Sequence, residues 1–310
     1  LIERGRDASE VEPALVAQGE RLYAELLKPA GRAVDDAERV LVSPDGALHL
    51  LPFGALVRRR DPLTFVAEWK PLPTVASASV YAEIKKTRRA APDPTPRLAA
   101  FGDPAPAAAG SADTGSREAS DVLRPLPYSR EEVERIAALF GPGARRYLGP
   151  AATKAEALAL GKDVRYVHFA THGLIDARSP LDSALVMATD RPGAPVDDGR
   201  LRAWEVRDRL RLDADLVALS ACESGLGREA TAEGLIGLSR AFQHAGARSV
   251  LASLWAISDR STARFMESFY QRLRQGAPRD RALQDAQVAS LRQGAHPYHW
   301  AAFQLSGDWR

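Results

Sequence analysis

Apolar residues along the 310-residue chain recur in two periods, and each period predicts a different kind of element. Over residues 8 to 30, Val11, Leu15, Leu22, Leu26 and Leu27 keep helical spacing until Pro29 and Gly31 end the run, which predicts a leading helix. From Arg39 to Leu56, strand-like stretches flank Pro44-Asp45-Gly46, a turn sequence, and a hairpin is expected. Residues 103 to 127 are dominated by Ala, Pro, Ser and Gly with no period and read as a loop or linker. The short apolar run Leu98 to Phe101 precedes this linker, and helix-like and strand-like stretches alternate after it. Strands are expected at Arg145 to Leu148, Val164 to Thr171, Leu185 to Met187, Leu216 to Ser220, Ser249 to Leu254 and Ala302 to Leu305. Helices are expected at Glu131 to Phe140, Lys154 to Leu160, Glu233 to Ala245, Ser261 to Leu273 and Arg279 to Arg292.

Several strand stretches, notably VALSA and VLASLW, are apolar at every position instead of alternating. That pattern belongs to parallel strands covered by helices on both faces, so the fold class is α/β. In open sheets of this class ligands sit beyond the carboxyl ends of the strands, which makes the residues just after each strand the ones to inspect.

Composition narrows the function classes. Hydrophobic residues at 45% and charged residues at 26% are those of an ordinary globular chain. The 42 Lys and Arg nearly cancel the 40 Asp and Glu, leaving +2, so no nucleic-acid partner is expected. The short basic runs Arg58 to Arg60 and Lys85 to Arg89 read as solvated surface. Cys222 is the single cysteine, which excludes an intramolecular disulfide framework and a thiolate metal cage. No apolar run reaches the length of a membrane span, and the chain starts with neither Met nor a signal-peptide pattern. The expectation is a cytoplasmic, reducing setting and a piece of a longer chain, with no membrane association, no metal and no cofactor.

Two strand ends combine reactive groups. RYVHFATHG ends on His172-Gly173, and DLVALSACESGLG places Cys222 ahead of Gly225 and Gly227, so adjacent parallel strands could present an imidazole and a thiol at one edge. A thiolate is the nucleophile in such a pair, and it needs a base that removes its proton and later protonates the leaving amine, which a His does near neutral pH. An unpaired cysteine is otherwise usually a small buried hydrophobe. Other patterns fall away. His168 and His172 are spaced HxxxH, but Phe169 stands where a zinc protease needs Glu, and the scaffold is a strand. His296 and His299 near Trp300 have no carboxylate cluster and read as packing and capping groups. The stretch GLGREATAEGLIG lacks the Lys-Ser/Thr of a phosphate loop and reads as a loop beside the thiol, with Thr231 or Glu233 starting the next helix.

The segments LVSPDGALHLLPFGAL, LAAFGDP, YVHFATHG, the SAL of residues 183 to 185, DLVALSACESGLG, EGLIGLSRAFQHAGARSVLASLW and HPYHWAAFQLSGDW together resemble the CHAT domain, a caspase-like family of clan CD cysteine peptidases. The resemblance covers about residues 39 to 310. It implies a three-layer α/β/α sandwich with a mostly parallel central sheet and a smaller N-terminal α/β lobe. With the size limit of a single core, it divides the chain into a leading helix and linker at 1–38, an N-terminal lobe at 39–95 and a caspase-like lobe at 96–310.

The resemblance also implies roles. Cys222 would attack the scissile carbonyl, His172 would act as acid and base, and the backbone N–H groups of Gly173 and Cys222 would form the oxyanion hole. Gly173 has a second reading, a tight turn with positive φ. No third triad member is evident, and Glu223 is given no role. Where animal caspases have Gln-Ala-Cys this chain has Ser-Ala-Cys-Glu-Ser, which argues against strict aspartate specificity. Related peptidases that prefer a basic P1 residue place an acid after the first strand of this lobe, where the chain has Asp103; Asp182 and Asp259 are the other candidates. Turn formation before Pro104 and capping of the helix at Ser261 are the plainer readings of Asp103 and Asp259. Ser253 and Trp255 would line the substrate groove, Trp255 being otherwise a core aromatic. The expected activity is a cysteine endopeptidase acting on a protein or peptide substrate in bacterial signalling or defence, regulated by an upstream repeat region such as tetratricopeptide repeats or by an activator protein. The long loop 103 to 127 and the loop 225 to 234 are expected to keep the isolated domain poorly active until they are ordered. Two alternatives stand beside it: a non-catalytic interaction module on the same fold, and a glutaminase-type amidohydrolase, disfavoured because His172 precedes Cys222 in the chain.

Overall fold

The computed structural model describes residue 2 and residues 11–86, 96–104, 126–176, 178–189, 198–220, 222–223, 232–255, 257 and 259–310. Contacts divide the chain into two compact units, one made of Leu1–Pro92 with Leu251–Arg310 and the other of Asp93–Val250. The first of these breaks falls near the sequence-drawn boundary at 95/96, and the second, at 250/251, runs inside the 96–310 segment. The expected linker 103–127 lies, over 105–125, outside the described residues, as does most of the loop 225–234.

The first unit opens with α1 (Pro13–Leu26), α2 (Arg32–Asp35), the antiparallel pair β1 (Val57–Arg60) and β2 (Leu63–Phe65), and α3 (Ala78–Lys86). The hairpin expected over 39–56 is absent, because the Asp45 carboxylate accepts a bond from the Gly46 amide (2.9 Å) and starts a 3-10 turn over Gly46–Leu50. A second such turn, Phe53–Ala55, brings Phe53 and Leu56 into an apolar cluster with Leu27 and Val66. Before Leu56 the described pairing is the isolated parallel bridge Val42↔Thr74, and the antiparallel pair β1–β2 follows, with Arg59 and Arg60 exposed. Lys70 is buried, and its ammonium donates to the carbonyls of Val34, Asp35 (2.9 Å) and Ala37 (2.6 Å), closing the carboxyl end of α2.

The second unit carries β3 (Arg97–Gly102), α4 (Ser129–Phe140), β4 (Ala144–Leu148), α5 (Lys154–Leu158), β5 (Val164–Ala170), β6 (His172–Leu174), β7 (Ala184–Val186), β8 (Arg200–Arg202), α6 (Ala203–Arg209), β9 (Leu216–Leu219), β10 (Cys222–Glu223), α7 (Ala232–His244) and the start of β11 (Ser249–Ser253). The chain then returns to the first unit with the rest of β11, α8 (Asp259–Arg274), α9 (Arg279–Arg292), α10 (Pro297–Trp300) and β12 (Phe303–Gly307). Backbone bonds gather these last residues with the N-terminal part: the Thr74 amide donates to Leu305 O (2.8 Å) and the Gly307 amide to Thr74 O (2.9 Å). Gln284 Nε2 donates to Ala67 O (2.7 Å), and Phe65 meets Trp300 edge-on at 5.4 Å.

In the second unit β4, β3, β5 and β9 lie side by side and run parallel. Every described residue of β9 is buried, as its unbroken apolar run requires, and β5 is buried except for the partly exposed Tyr166, its Arg165 and His168 included. Helices cover both faces. On one face α4 buries Ser129, Glu132, Val133, Ile136, Ala137 and Phe140, a spacing that makes one stripe, and Phe140 meets Tyr166 edge-on at 5.4 Å. On the other face Phe169, one position out of phase with His168, meets Phe242 of α7 at 5.6 Å. At the amino ends of the strands Arg165 pairs with Asp215, and Arg248 reaches Asp213 (2.9 Å) and Asp215 (3.3 Å). A smaller sheet follows at the carboxyl edge, in the order β10-β6-β7-β8, with β6 parallel to β10 and antiparallel to β7.

The approach of α4 to β3 depends on Gly102. A Cβ there would lie 2.7 Å from Val133 Cγ2 and 2.9 Å from the Ser129 carbonyl oxygen, and the latter is backbone that cannot turn aside. Gly102→Ala is therefore expected to destabilise the chain by about 1–3 kcal/mol, as overpacking does, read as a lowered denaturation midpoint. An unchanged midpoint would show that α4 does not sit this close.

Candidate active site

The carboxyl edge of the parallel sheet is laid out by register. β5 pairs with β9 from Tyr166↔Leu216 to Phe169↔Leu219, and after each strand leaves the main sheet β6 pairs with β10 as His172↔Cys222 and Gly173↔Glu223. The offset is 50 residues throughout, so the interval between the two reactive residues in the sequence is the register of two parallel strands. It puts the His172 and Cys222 backbones opposite each other, about 4.8 Å apart as neighbouring strands are. His172 is partly buried, and Thr171 beside it is buried with its hydroxyl donating to Val186 O, which ties the β5–β6 junction to β7. Gly173 is a buried strand residue between Glu223 and Leu185, so it is not the left-handed turn that was its second reading.

On the other side of β5, β3 ends with Gly102↔Ala170, which brings Asp103 to the level of Thr171. Asp103 has φ +49°, the one positive φ at a non-glycine among the described residues. That conformation costs roughly 1–2 kcal/mol for an L-residue, less for Asp than for most. Its amide donates to Ser129 Oγ (3.0 Å), and Ser129 in turn donates to Leu126 O (2.8 Å). Its Oδ2 accepts from Arg130 Nε (2.9 Å) and Nη2 (2.8 Å).

Asp182 ends the 3-10 turn Pro180–Asp182, and its Oδ2 accepts from the Ser179 hydroxyl (2.6 Å). This turn packs on α7 across two glycines. A Cβ on Gly237 would lie 2.8 Å from Pro180 O, and one on Gly234 would lie 2.3 Å from Ile175 Cγ2. Asp176 holds the start of the same loop, accepting from the amides of Ser179 (2.9 Å) and Arg178 (2.8 Å), which keep its carboxyl below the usual range.

Ser253, Trp255 and Asp259 belong to the other unit. Within it Trp255 is buried, its indole N–H donates to Tyr298 O (3.0 Å) and its ring stacks on Tyr298 at 6.3 Å. Ser253 ends β11, and Asp259 is the first residue of α8. His296 caps α10, its Nδ1 accepting from the Tyr298 amide (3.2 Å). Among the described residues no group of three or more His, Cys, Asp or Glu is placed to hold a metal ion, and no helix is long and apolar enough to cross a membrane.

Sequence reading passed over the first turn of α4. Besides Ser129 and Arg130 it supplies Glu132, whose Oε1 lies 2.9 Å from Nε2 of His168, both side chains being buried. The spacing Ser129-x-x-Glu132 marks a helix start and was the available signal. Glu132→Ala would take the carboxylate away from a buried imidazole, and a loss of about 3–5 kcal/mol is expected in a denaturant titration, as when one partner of a buried pair is removed. A loss under about 1 kcal/mol would mean that the imidazole does not depend on this carboxylate. Asp176 gives a pH test. Its bonds need the ionised form, so their contribution is fully present above the ordinary value of 3.8 and is lost as the pH falls through the lowered folded value. An NMR titration of the Asp176 carboxyl should place its midpoint below 3.8, and a midpoint above that value would contradict the assignment.

Comparison with known proteins identifies the family and the fold. The family model of the CHAT domain matches residues 16–308. Tetratricopeptide repeat protein 28 of Homo sapiens is 28% identical over 352 aligned residues, covering 98% of this chain and 13% of that protein. The Mus musculus protein of the same name is 31% identical over 220 residues, covering 59% of this chain and 9% of that one. The chain thus spans a small fraction of the length of the curated relatives it matches. Among solved structures, a chain of the Saccharomyces cerevisiae separase–securin complex superposes with a TM-score of 0.53 at 13% identity, covering 87% of this chain and 15% of that one. The Arg-specific cysteine proteinase gingipain R superposes with a TM-score of 0.51 at 11% identity, covering 99% and 69%. Likeness at these identities establishes the fold, a mixed α/β architecture of the caspase-like kind with a mostly parallel central sheet. Given a family match over nearly its whole length, the chain belongs to the CHAT domain family.

Proposed function

We propose that the chain is a cysteine endopeptidase that cuts a protein substrate through Cys222 and His172. The observation that carries this reading is the register partnership of the two residues at the carboxyl edge, where sheets of this class hold their ligands. His172 takes the thiol proton, and the Cys222 sulfur adds to the scissile carbonyl carbon. The tetrahedral oxyanion is assigned to backbone N–H groups of Gly173 and Cys222. Collapse breaks the C–N bond, the amine leaves with the proton from His172, and a thioester remains. Water then loses a proton to His172, attacks the thioester and releases the acid and the thiol. Asp103, one strand away, is the acidic group assigned to a substrate side chain. Neither a metal nor a cofactor enters any step.

Regulation is assigned to a region outside this chain. The relatives' name supports tetratricopeptide repeats as that region, while a cytoplasmic role in bacterial signalling or defence rests on the family resemblance. Digestion of a peptide library by the wild type, Cys222→Ala and His172→Ala, each alone and within the full-length parent, tests the reading. Cleavage should vanish in Cys222→Ala, and kcat/KM should fall by about 10²–10⁴-fold in His172→Ala, the range general acid–base groups contribute. Cleavage that survives both substitutions rejects the pair. No cleavage even with the full-length parent would favour a non-catalytic interaction module.

A further inference from the structure

Asp103 is held more elaborately than a turn residue needs. Its backbone is in the left-handed region at φ +49°, its amide is bonded to Ser129 Oγ (3.0 Å), and Arg130 directs both Nε (2.9 Å) and Nη2 (2.8 Å) at one carboxylate oxygen, Oδ2. Observed backbone strain of this kind concentrates at functional sites. Stability alone does not explain the arrangement, because the two side chains are 47% and 46% exposed, and an ion pair so open to water is worth about fivefold or less in an equilibrium. The pair sits at the level of Thr171, next to His172, on the opposite side from Cys222. A guanidinium is the cation whose planar fork suits a carboxylate, and here the chain supplies one of its own.

We propose that Arg130 is an internal guanidinium occupying an acidic receptor at Asp103, so that a basic ligand side chain binds there only by displacing it. Arg130 then determines selectivity: with it in place the edge presents a neutralised pair, and without it a carboxylate poised for Arg or Lys. The exposure of the pair makes displacement feasible, and the Ser129 bond keeps Asp103 in position when Arg130 leaves. This deepens the peptidase reading by naming the class of side chain the edge accepts, and its test needs no turnover.

The test is titration of agmatine, a guanidinium on a short alkyl chain, into the 310-residue protein, followed by calorimetry or NMR. Arg130→Gln and Arg130→Ala should each bind agmatine about fivefold more tightly than the wild type, the factor an exposed pair is worth. Adding Asp103→Asn to either should remove the gain, with melting temperatures reported for every variant so that binding is compared among folded proteins. Equal affinity in wild type and both Arg130 variants, a gain that persists without Asp103, or no agmatine binding by any variant would overturn the proposal. Because agmatine binding involves neither Cys222 nor His172, these outcomes stay distinct from a failed digestion.

Discussion

The ladder between β5 and β9, carried on by β6 and β10 at the same offset of 50 residues, is the constraint on which the carboxyl edge depends. Side chains alternate along a strand, so a slip of one residue would turn His168 away from Glu132, take Phe169 out of its contact with Phe242, and move His172 off the level of Cys222 together. Burial on both faces makes such a slip costly. The strand starts add a second safeguard, since Arg165 and Arg248 share Asp215 across the amino ends. Their side chains are 3% and 8% exposed, a setting where an ion pair specifies geometry more than it adds stability.

How much of this could be read from the sequence follows from the range of each signal. The α9 limits Arg279–Arg292 were legible because a run without Pro or Gly falls between Pro278 and Gly294, and β9 was legible as an unbroken apolar run and β5 as a mostly apolar one. His172 and Cys222 stood out as reactive groups just past such runs. The hairpin at 39–56 was misplaced because alternation there competes with a local event, the Asp45 carboxylate capturing the next amide. The recruitment of 251–310 beside the N-terminal part rests on Thr74 bonding to residues more than 200 positions away, which no local period encodes. His168 was weighed only as half of a metal motif, and its partner, Glu132, lies 36 positions earlier on a different element.

One helical turn ties together much of what the strands leave unsettled. The start of α4 bonds the Asp103 amide through Ser129 and its carboxylate through Arg130, and sets Glu132 2.9 Å from the core imidazole of His168. The absence of a side chain at Gly102 lets that turn come close enough for all three. The acidic residues Glu131 and Glu132 in the first turn also suit the positive end of the helix dipole.

The glycines on α7 have a mechanical meaning. Gly234 and Gly237 let the loop that follows β6 rest on the helix with no room for even a methyl group. The same helix is the next described element after β10. The strand bearing His172 therefore reaches α7 by contact, and the strand bearing Cys222 reaches it by chain connection. A displacement of α7 would therefore press first on the loop that follows the strand bearing His172.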